Sequence, residues 1–552
     1  MLYLRSRNFF KTLTAMENPI IFAGENLDDM NYPIGIQTFK GLRAEDYAYV
    51  DKTAYVYRLV SRGKCYFLSR PRRFGKSLLL STLKTYFQGK KEEFEGLAIS
   101  KLEKEWKQYP VLHLDLSVKN YENKESLIAI LARHLEQWEA EYGNNYSDRS
   151  VEDRFLYCIV NAAKQSPEGK VVILIDEYDK PLLEAIGKPE LQEEYRQILK
   201  AFYSNIKSCD EYIRFAMLTG VTKFSHLSIF SGLNNLRDIS MLPQYAAICG
   251  FTQQELETTF SESIDEFADV MKVSRTEMLE LLKKLYDGYH FSEDLSVNVY
   301  NPFSILNAFA ANALKPFWFA TGTPTFLYKQ MKENHTNLLD LEKLELTASQ
   351  FDAPFDSMNS VLPLLYQSGY LTIKGYDPDA WLYTLGFPNT EVKVGFLENF
   401  LVFMTGGSDN SEGFASRFYV SLLRHDIEGA MRLMQSFFAS IPYLDHGNND
   451  LDELTRFEAY YEVLMYVVFS IFNCRTFTQV KTALGRADVV VFMKDATYVM
   501  ELKVGGTARE ALEQINSNDY AVPYQNTGLP VVKIGIGFSR EKRTVSEWVI
   551  VK

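Results

Sequence analysis

The sequence predicts an α/β chain with three parts: a largely parallel sheet carrying a phosphate-binding loop, a helical and winged-helix-like middle region, and a small C-terminal α/β unit. Three observations predict it. Residues 30–250 alternate short apolar strands with helical stretches. The stretch SRPRRFGKSLLL, Ser69 to Leu80, runs Gly-Lys-Ser straight into an apolar helix. Beyond residue 457 the pattern changes to helix, three strands, helix and two strands.

A chain of 552 residues is too long for one core and predicts three or four units of ~150 residues each. With 46% hydrophobic and 24% charged residues the composition is that of an ordinary globular protein, and 14% aromatics suit well-filled cores. A net charge of −12 provides no global basic field, so any contact with a polyanion must come from local patches. The five cysteines (Cys65, Cys158, Cys209, Cys249, Cys474) are scattered without CxxC spacing, which argues for reduced thiols and a cytoplasmic location. No apolar run approaches the ~20 residues of a membrane span, and MLYLRSRNFFKTLTA lacks the continuous apolar core of a signal peptide. Residues 1–29 read as an N-terminal extension, with Met16 and Met30 as alternative starts. The seven histidines form no HxH or HExxH pattern.

In chain order, strands are expected at Cys65–Ser69, Val111–Leu116, Val171–Asp176, Phe215–Val221 and Ala246–Phe251, closing a first domain over residues 30–255. Thr252-Gln-Gln-Glu255 has the pattern of a capping box opening the next helix. Residues 256–400 are helix-rich with one hairpin: Ser357–Gln367 reads as a helix, and GYLTIKGYDPDAWLYTLGF as two strands around an Asp-Pro-Asp turn. Helices followed by a two-stranded wing predict a winged-helix module. Asp377 and Asp379 at its tip oppose phosphate contact, so a lid packed on the first domain is expected. Residues 401–456, with the polar turns GGSDNSEG and DHGNNDLDE, read as a helical linker, and residues 457–552 as the last domain.

A phosphate loop needs a strand, a turn aiming N–H groups inward, a lysine for the β/γ-phosphates and a hydroxyl for Mg²⁺. Here CYFLS supplies the strand, Lys76 the lysine and Ser77 the hydroxyl, and Gly75 permits close backbone approach. Where the usual pattern G-x-x-x-x-G-K-[ST] has its first glycine stands Arg70, so Arg70, Arg72 and Arg73 add positive charge to the entry turn. VVILIDEYD, Val171 to Asp179, is a buried-strand pattern ending in carboxylates. It would place Asp176 as a Mg²⁺ ligand and Glu177 where it can activate water. RFAMLTGV ends a third strand in Thr219, the position of a γ-phosphate sensor. Arg214 and Arg237 are candidates for an arginine finger, and the pattern does not choose between them.

The resemblance is specific at this point. YPIGIQTFKGLRAEDYAYVDKTAYVYRLV, FLSRPRRFGKSLLLSTLKTYFQGKKEEFEGLAI, VVILIDEYDKPL, LTGVTKFSHLSIFSGLNNLRDIS and LYDGYHF resemble the AAA-ATPase-like family of prokaryotic proteins. The resemblance spans about residues 30–300. It implies an AAA/STAND-type P-loop NTPase core, a loop whose first glycine is replaced family-wide, and a lid and winged helix over residues 300–400.

GRADVVVFMKDATYVMELKV, Gly485 to Val504, holds the second constellation. Glu501 and Lys503 are two apart on one strand and share a face. A hairpin loop of two or four residues sets Asp488 opposite Lys503 and diagonal to Glu501. Carboxylates this close raise one another's pKa unless a cation joins them, so a divalent metal on Asp488 and Glu501 is expected, with Lys503 positioning water. This layout resembles the PD-(D/E)xK nuclease superfamily, of restriction-endonuclease-like fold. Glu462, the one charge in YYEVLMYVVFSIF, and Gln514 in the following helix fit that resemblance, which covers about residues 455–552 and matches the nuclease domain commonly fused to the ATPase family.

The expectation is an enzyme with two sites. The first binds ATP and Mg²⁺ through Arg70, Arg73, Gly75, Lys76, Ser77, Asp176 and Thr219, with Glu177 catalytic. The second uses Asp488, Glu501, Lys503, Glu462 and Gln514 with Mg²⁺ or Mn²⁺ on DNA or RNA. Nucleotide state would gate the nuclease. A homo-oligomer would be needed to cut both strands, and no membrane is involved. The alternative is a nucleotide-switched signalling or nucleic-acid-binding protein with a catalytically silent nuclease fold.

Overall fold

A computed structural model of the chain describes residues 30–117, 121–143, 148–223, 235–321, 325–333, 338, 341, 343–353, 361–404, 413–440, 463–472, 475–481, 485–493, 495–539, 541–542 and 544–552. The first sheet is built of β1 (Cys65–Ser69), β2 (Val111–Asp115), β3 (Val171–Asp176), β4 (Ile213–Gly220) and β5 (Arg237–Asp238), with α1 (Lys76–Phe87) following β1. Its strand order is β2-β3-β4-β1-β5 and every pairing is parallel. A parallel sheet must be covered on both faces, and the strands are written accordingly. Tyr66 and Leu68 of β1 join Val172 and Leu174 of β3 in one core, while Cys65, Phe67, Ile173 and Ile175 join the core on the opposite face. Edge strand β2 alternates between buried and half-buried positions instead.

The fifth strand is not where the apolar run predicts it. Ala246–Phe251 forms no strand; Phe251 alone makes a bridge, to Tyr300. The run is apolar because Tyr245 to Cys249 are buried as an irregular segment beside the phosphate loop. There the Gly250 N–H donates to the Phe74 carbonyl at 3.2 Å. Burial explains the composition, and a short apolar run does not distinguish strand from buried loop.

Next come α2 (Pro302–Ala311), β6 (Leu344–Leu346), α3 (Ala348–Phe351), α4 (Leu362–Gln367), β7 (Thr372–Asp377), β8 (Leu382–Gly386) and α5 (Thr390–Met404). The three strands form an antiparallel sheet in the order β6-β8-β7, so strand, two helices, strand, wing and strand follow as in a winged helix. Part of the predicted helix over 357–367 lies outside the described residues. The module touches the first domain closely. At Gly369 (φ 90°) an added Cβ would lie 2.7 Å from the Pro71 side chain.

The predicted linker does more than connect. Helix α6 (Phe414–Leu423) packs on α7 (Ile427–Ala439), where Phe414 stacks on Phe437, and α7 lies against the last sheet. That sheet consists of β9 (Arg475–Lys481), β10 (Arg486–Phe492), β11 (Thr497–Val504), β12 (Val531–Ser539) and β13 (Thr544–Val551), with α8 (Ala508–Ser517) between β11 and β12. Gln435 Nε2 donates to the Val545 carbonyl at 2.7 Å and Trp548 Nε1 to Glu428 at 2.9 Å. Strand order is β9-β10-β11-β12-β13, parallel only at β11–β12. Glycine lets α8 settle on this sheet: a Cβ on Gly535 would stand 2.2 Å from the Ala508 carbonyl.

Candidate functional site

The loop after β1 turns into α1 through Gly75, whose φ of 93° is a left-handed conformation that L side chains rarely adopt. Its successor Lys76 is 6% exposed, and its ammonium donates to the carbonyls of Arg70 at 2.9 Å and Pro71 at 3.0 Å. Burial pulls the lysine's pKa down, and the nearby Asp176, Glu177 and Asp179 oppose that shift. The parallel sheet brings the end of β3 to the same edge. Asp176 is buried, and its Oδ1 accepts the Thr219 hydroxyl at 2.7 Å and the Glu177 N–H at 3.0 Å. Glu177 itself has φ 50°, a strained backbone for a non-glycine residue, and its side chain lines the cleft with Lys76. Burial raises the Glu177 carboxyl above its ordinary value, with the charge of Lys76 working against it.

The cleft has a volume of about 570 Å³, and its lining includes Arg73, Gly75, Lys76, Ser77 and Glu177. Its apolar lining comes from Ile34, Ile36, Tyr49, Phe251, Phe303 and Leu306. Arg70, Asp176 and Thr219 do not line it. Arg70 departs most from expectation. Its guanidinium is 1% exposed and turned into the protein, donating to the carbonyls of Ser69, Ser240 and Tyr245 at 2.9, 2.7 and 3.1 Å. It also lies 4.1 Å from the centre of the Phe291 ring. The arginine that replaces the loop's first glycine therefore ties the loop to its neighbours, because so many carbonyls surround it. Thr219 likewise addresses Asp176 and not the cleft. Neither Arg214 nor Arg237 lines the cleft; Arg214 donates to the Val60 carbonyl at 3.0 Å. Of the hard oxygen donors that Mg²⁺ would take, the Ser77 hydroxyl and the Glu177 carboxylate line the cleft, whereas Asp176, engaged with Thr219, does not.

The second site stands on the β10–β11 hairpin. Pairing runs from Val489 opposite Met500 to Phe492 opposite Thr497, so the connection is residues 493–496. One step further, Asp488 is level with Glu501. The predicted partner was Lys503, so the register is shifted by two residues. An even shift leaves every side chain on its predicted face, and the two carboxylates end up closer than expected. The Asp488 N–H donates to Glu501 Oε2 at 3.2 Å, and the Leu502 N–H to Asp488 Oδ2 at 2.9 Å. Glu501 is 2% exposed, and Gln514 on α8 donates its amide to Glu501 Oε1. Lys503 sits two residues beyond Glu501 on the same face, half-buried. Glu462 lies outside the described residues. Two adjacent carboxylates fit a hard cation such as Mg²⁺ or Mn²⁺. Among the described residues, however, no three or more His, Cys, Asp or Glu side chains are grouped so that they could hold a metal ion together.

A family profile described as "Predicted AAA-ATPase" matches residues 33–230, and one described as "PD-(D/E)XK nuclease superfamily" matches residues 456–548. The "Uncharacterized protein in vnfD 5'region" of Azotobacter chroococcum mcd 1 is 36% identical over 526 residues, covering 94% of this chain and 98% of that protein. The chain belongs to the AAA-ATPase-like family and carries a PD-(D/E)XK superfamily domain.

In this AAA-ATPase-like protein the described helices include none long and apolar enough to cross a membrane. Sequence reasoning missed several of its site residues. Asp179, 1% exposed, accepts the N–H groups of Val221 and Thr222 at 2.9 and 2.6 Å and the Thr222 hydroxyl at 2.7 Å. It thereby ties the segment after β4 to the acidic turn. The next link is Lys223, whose ammonium lies 2.8 Å from Asp238 and 2.7 Å from Asp352 of the winged helix, while its N–H donates to Gln367. The D-x-x-D spacing of DEYD was a visible signal for Asp179. Nothing local in the sequence marked Lys223, because its partners lie far away along the chain.

Proposed function

We propose that the chain binds and hydrolyses ATP with Mg²⁺ in the 570 Å³ cleft, and that nucleotide state gates a metal-dependent phosphodiesterase site on the β10–β11 hairpin that acts on DNA or RNA. One observation carries the first half: Lys76, Ser77 and Glu177 line a single cleft at the C-terminal edge of a parallel sheet. In this reading Lys76 leaves the loop carbonyls for the β/γ-phosphates, and the apolar side chains of the lining receive the base. Ser77 and Asp176 would hold Mg²⁺, which would supply charge neutralisation at the phosphate oxygens. Glu177, its carboxyl raised by burial, takes the proton of the attacking water. Thr219 keeps Asp176 in place.

For the second half, support comes from Asp488 and Glu501 standing level across one hairpin, with Gln514 orienting Glu501. Asp488 and Glu501 would hold a divalent cation, which would supply charge stabilisation at the scissile phosphate, and Lys503 would position water. Cutting both strands of a duplex would take two copies of the chain. The second reading is a nuclease fold that binds nucleic acid without cutting.

Purified protein incubated with single- and double-stranded DNA and RNA, with Mg²⁺ or Mn²⁺, separates the two. Cleavage that Asp488→Ala and Glu501→Ala abolish supports the phosphodiesterase. Metal-independent binding without products from wild type supports the silent fold.

A further inference from the structure

Tyr520 follows α8 and belongs to none of the motif positions. Its ring is buried, 1% exposed. Its hydroxyl oxygen nevertheless receives three N–H groups: the Arg486 backbone at 3.1 Å, the Asn518 amide at 2.9 Å and the Gln514 amide at 3.4 Å. Asp519, with φ 53°, makes the tight bend that turns this tyrosine inward.

Two of the three donors lead to the paired carboxylates. Gln514 shares the same Nε2 between Tyr520 and Glu501 Oε1. Arg486 opens β10 two residues before Asp488. One buried oxygen is thus bonded on one side to the strand that presents Asp488 and on the other to the amide that orients Glu501. The glycine before β10 makes room for it: a Cβ on Gly485 would lie 2.6 Å from the Tyr520 hydroxyl and 3.2 Å from the Asn518 amide.

We infer that Tyr520 is a positioning residue that sets the spacing of Asp488 and Glu501 for a divalent cation, with Gly485 as the gap that admits its hydroxyl. The inference rests on the phosphodiesterase reading. Hydrogen-bonded partners that orient metal ligands tune metal affinity even where the ligands themselves are unchanged.

Mn²⁺ binding to the full chain, followed by calorimetric titration alongside cleavage, tests it. Tyr520→Phe removes one oxygen and should weaken Mn²⁺ binding about 10- to 100-fold, the range seen for such outer partners. The Mn²⁺ concentration for half-maximal cleavage should rise in parallel, with the maximal rate at saturating Mn²⁺ within about threefold of wild type. Combining Tyr520→Phe with Gln514→Leu should cost less than the sum of the two, because both act on Glu501. Gly485→Ala, which crowds the same oxygen, should weaken Mn²⁺ as Tyr520→Phe does. A thermal unfolding profile and a circular dichroism spectrum like those of wild type report that each variant is folded. If Tyr520→Phe and Gly485→Ala bind Mn²⁺ like wild type while Asp488→Ala does not, the inference is wrong and the phosphodiesterase reading stands. If Asp488→Ala also matches wild type in both readouts, the two fall together.

Discussion

The two sites are assembled in opposite ways. The ATP cleft gathers Lys76, Glu177 and Phe303 from stretches more than a hundred residues apart and depends on loops at a sheet edge. The hairpin site takes Asp488, Glu501 and Gln514 from 27 consecutive residues, held by strand pairing and one packed helix. A site made from distant loops is adjustable and can feel what else touches those loops, here the winged helix through Lys223. A site on a hairpin is rigid and local. The difference suggests which end senses and which end acts.

The largest effects should separate the sites cleanly. Lys76→Ala should lower ATP affinity and hydrolysis by on the order of 100-fold or more, through lost phosphate electrostatics, and leave Mn²⁺ binding at the hairpin unchanged. Glu501→Ala should do the reverse. Equilibrium binding of a fluorescent ATP analogue and Mn²⁺ titration check both directions, and a crossed effect would break the comparison.

Next in size is the contact between cleft and winged helix. Lys223→Met leaves Asp238 and Asp352 facing each other without their cation, which should cost roughly 3 kcal/mol. Hydrogen exchange should show protection lost in β6–β8 and retained in β10–β11.

A comparable but pH-dependent effect is expected at Glu391 on α5. This carboxyl is 1% exposed, accepts the Trp318 N–H at 2.9 Å and the Ser304 hydroxyl at 2.8 Å, and is pushed by burial up to about 7. Between its unfolded value of 4.5 and about 7 the folded chain holds a proton that the unfolded chain has lost, so stability falls as pH rises through that window. Glu391→Gln should remove up to roughly 3 kcal/mol of this decline, read as a flatter dependence of unfolding midpoint on pH.

The smallest effect sits in the loop. Arg73 has φ 69° and stacks 4.7 Å from the centre of the Phe303 ring. Arg73→Gly and Arg73→Ala both lose that contact, and only glycine relieves the backbone, so the glycine variant should be the more stable by about 1 kcal/mol. Equal melting temperatures would contradict it.

Much of this was legible. The inner strands of the first sheet could be read because burial on both faces writes continuous apolar runs, as in Val171–Ile175, and edge strand β2 from its alternating buried positions. The run at Ala246–Cys249 misled for the same reason, since a buried loop beside the phosphate turn needs apolar side chains too. On the hairpin the face was readable and the register was not: two-residue alternation fixes which side Asp488 and Glu501 share, whereas pairing depends on where the turn closes. Arg70 reads as phosphate-binding from its charge, and only the surrounding carbonyls show it turned inward. Tyr520 and Lys223 were invisible because their meaning lies in partners the motifs do not contain.

The central claim is that one site governs the other, and the rate of nucleic-acid cleavage as a function of nucleotide tests it most directly. Cleavage by wild type should differ between no nucleotide, ADP and ATP, and the difference should vanish in Lys76→Ala while basal cutting remains. Rates that are the same with every nucleotide, in wild type and Lys76→Ala alike, would contradict the account.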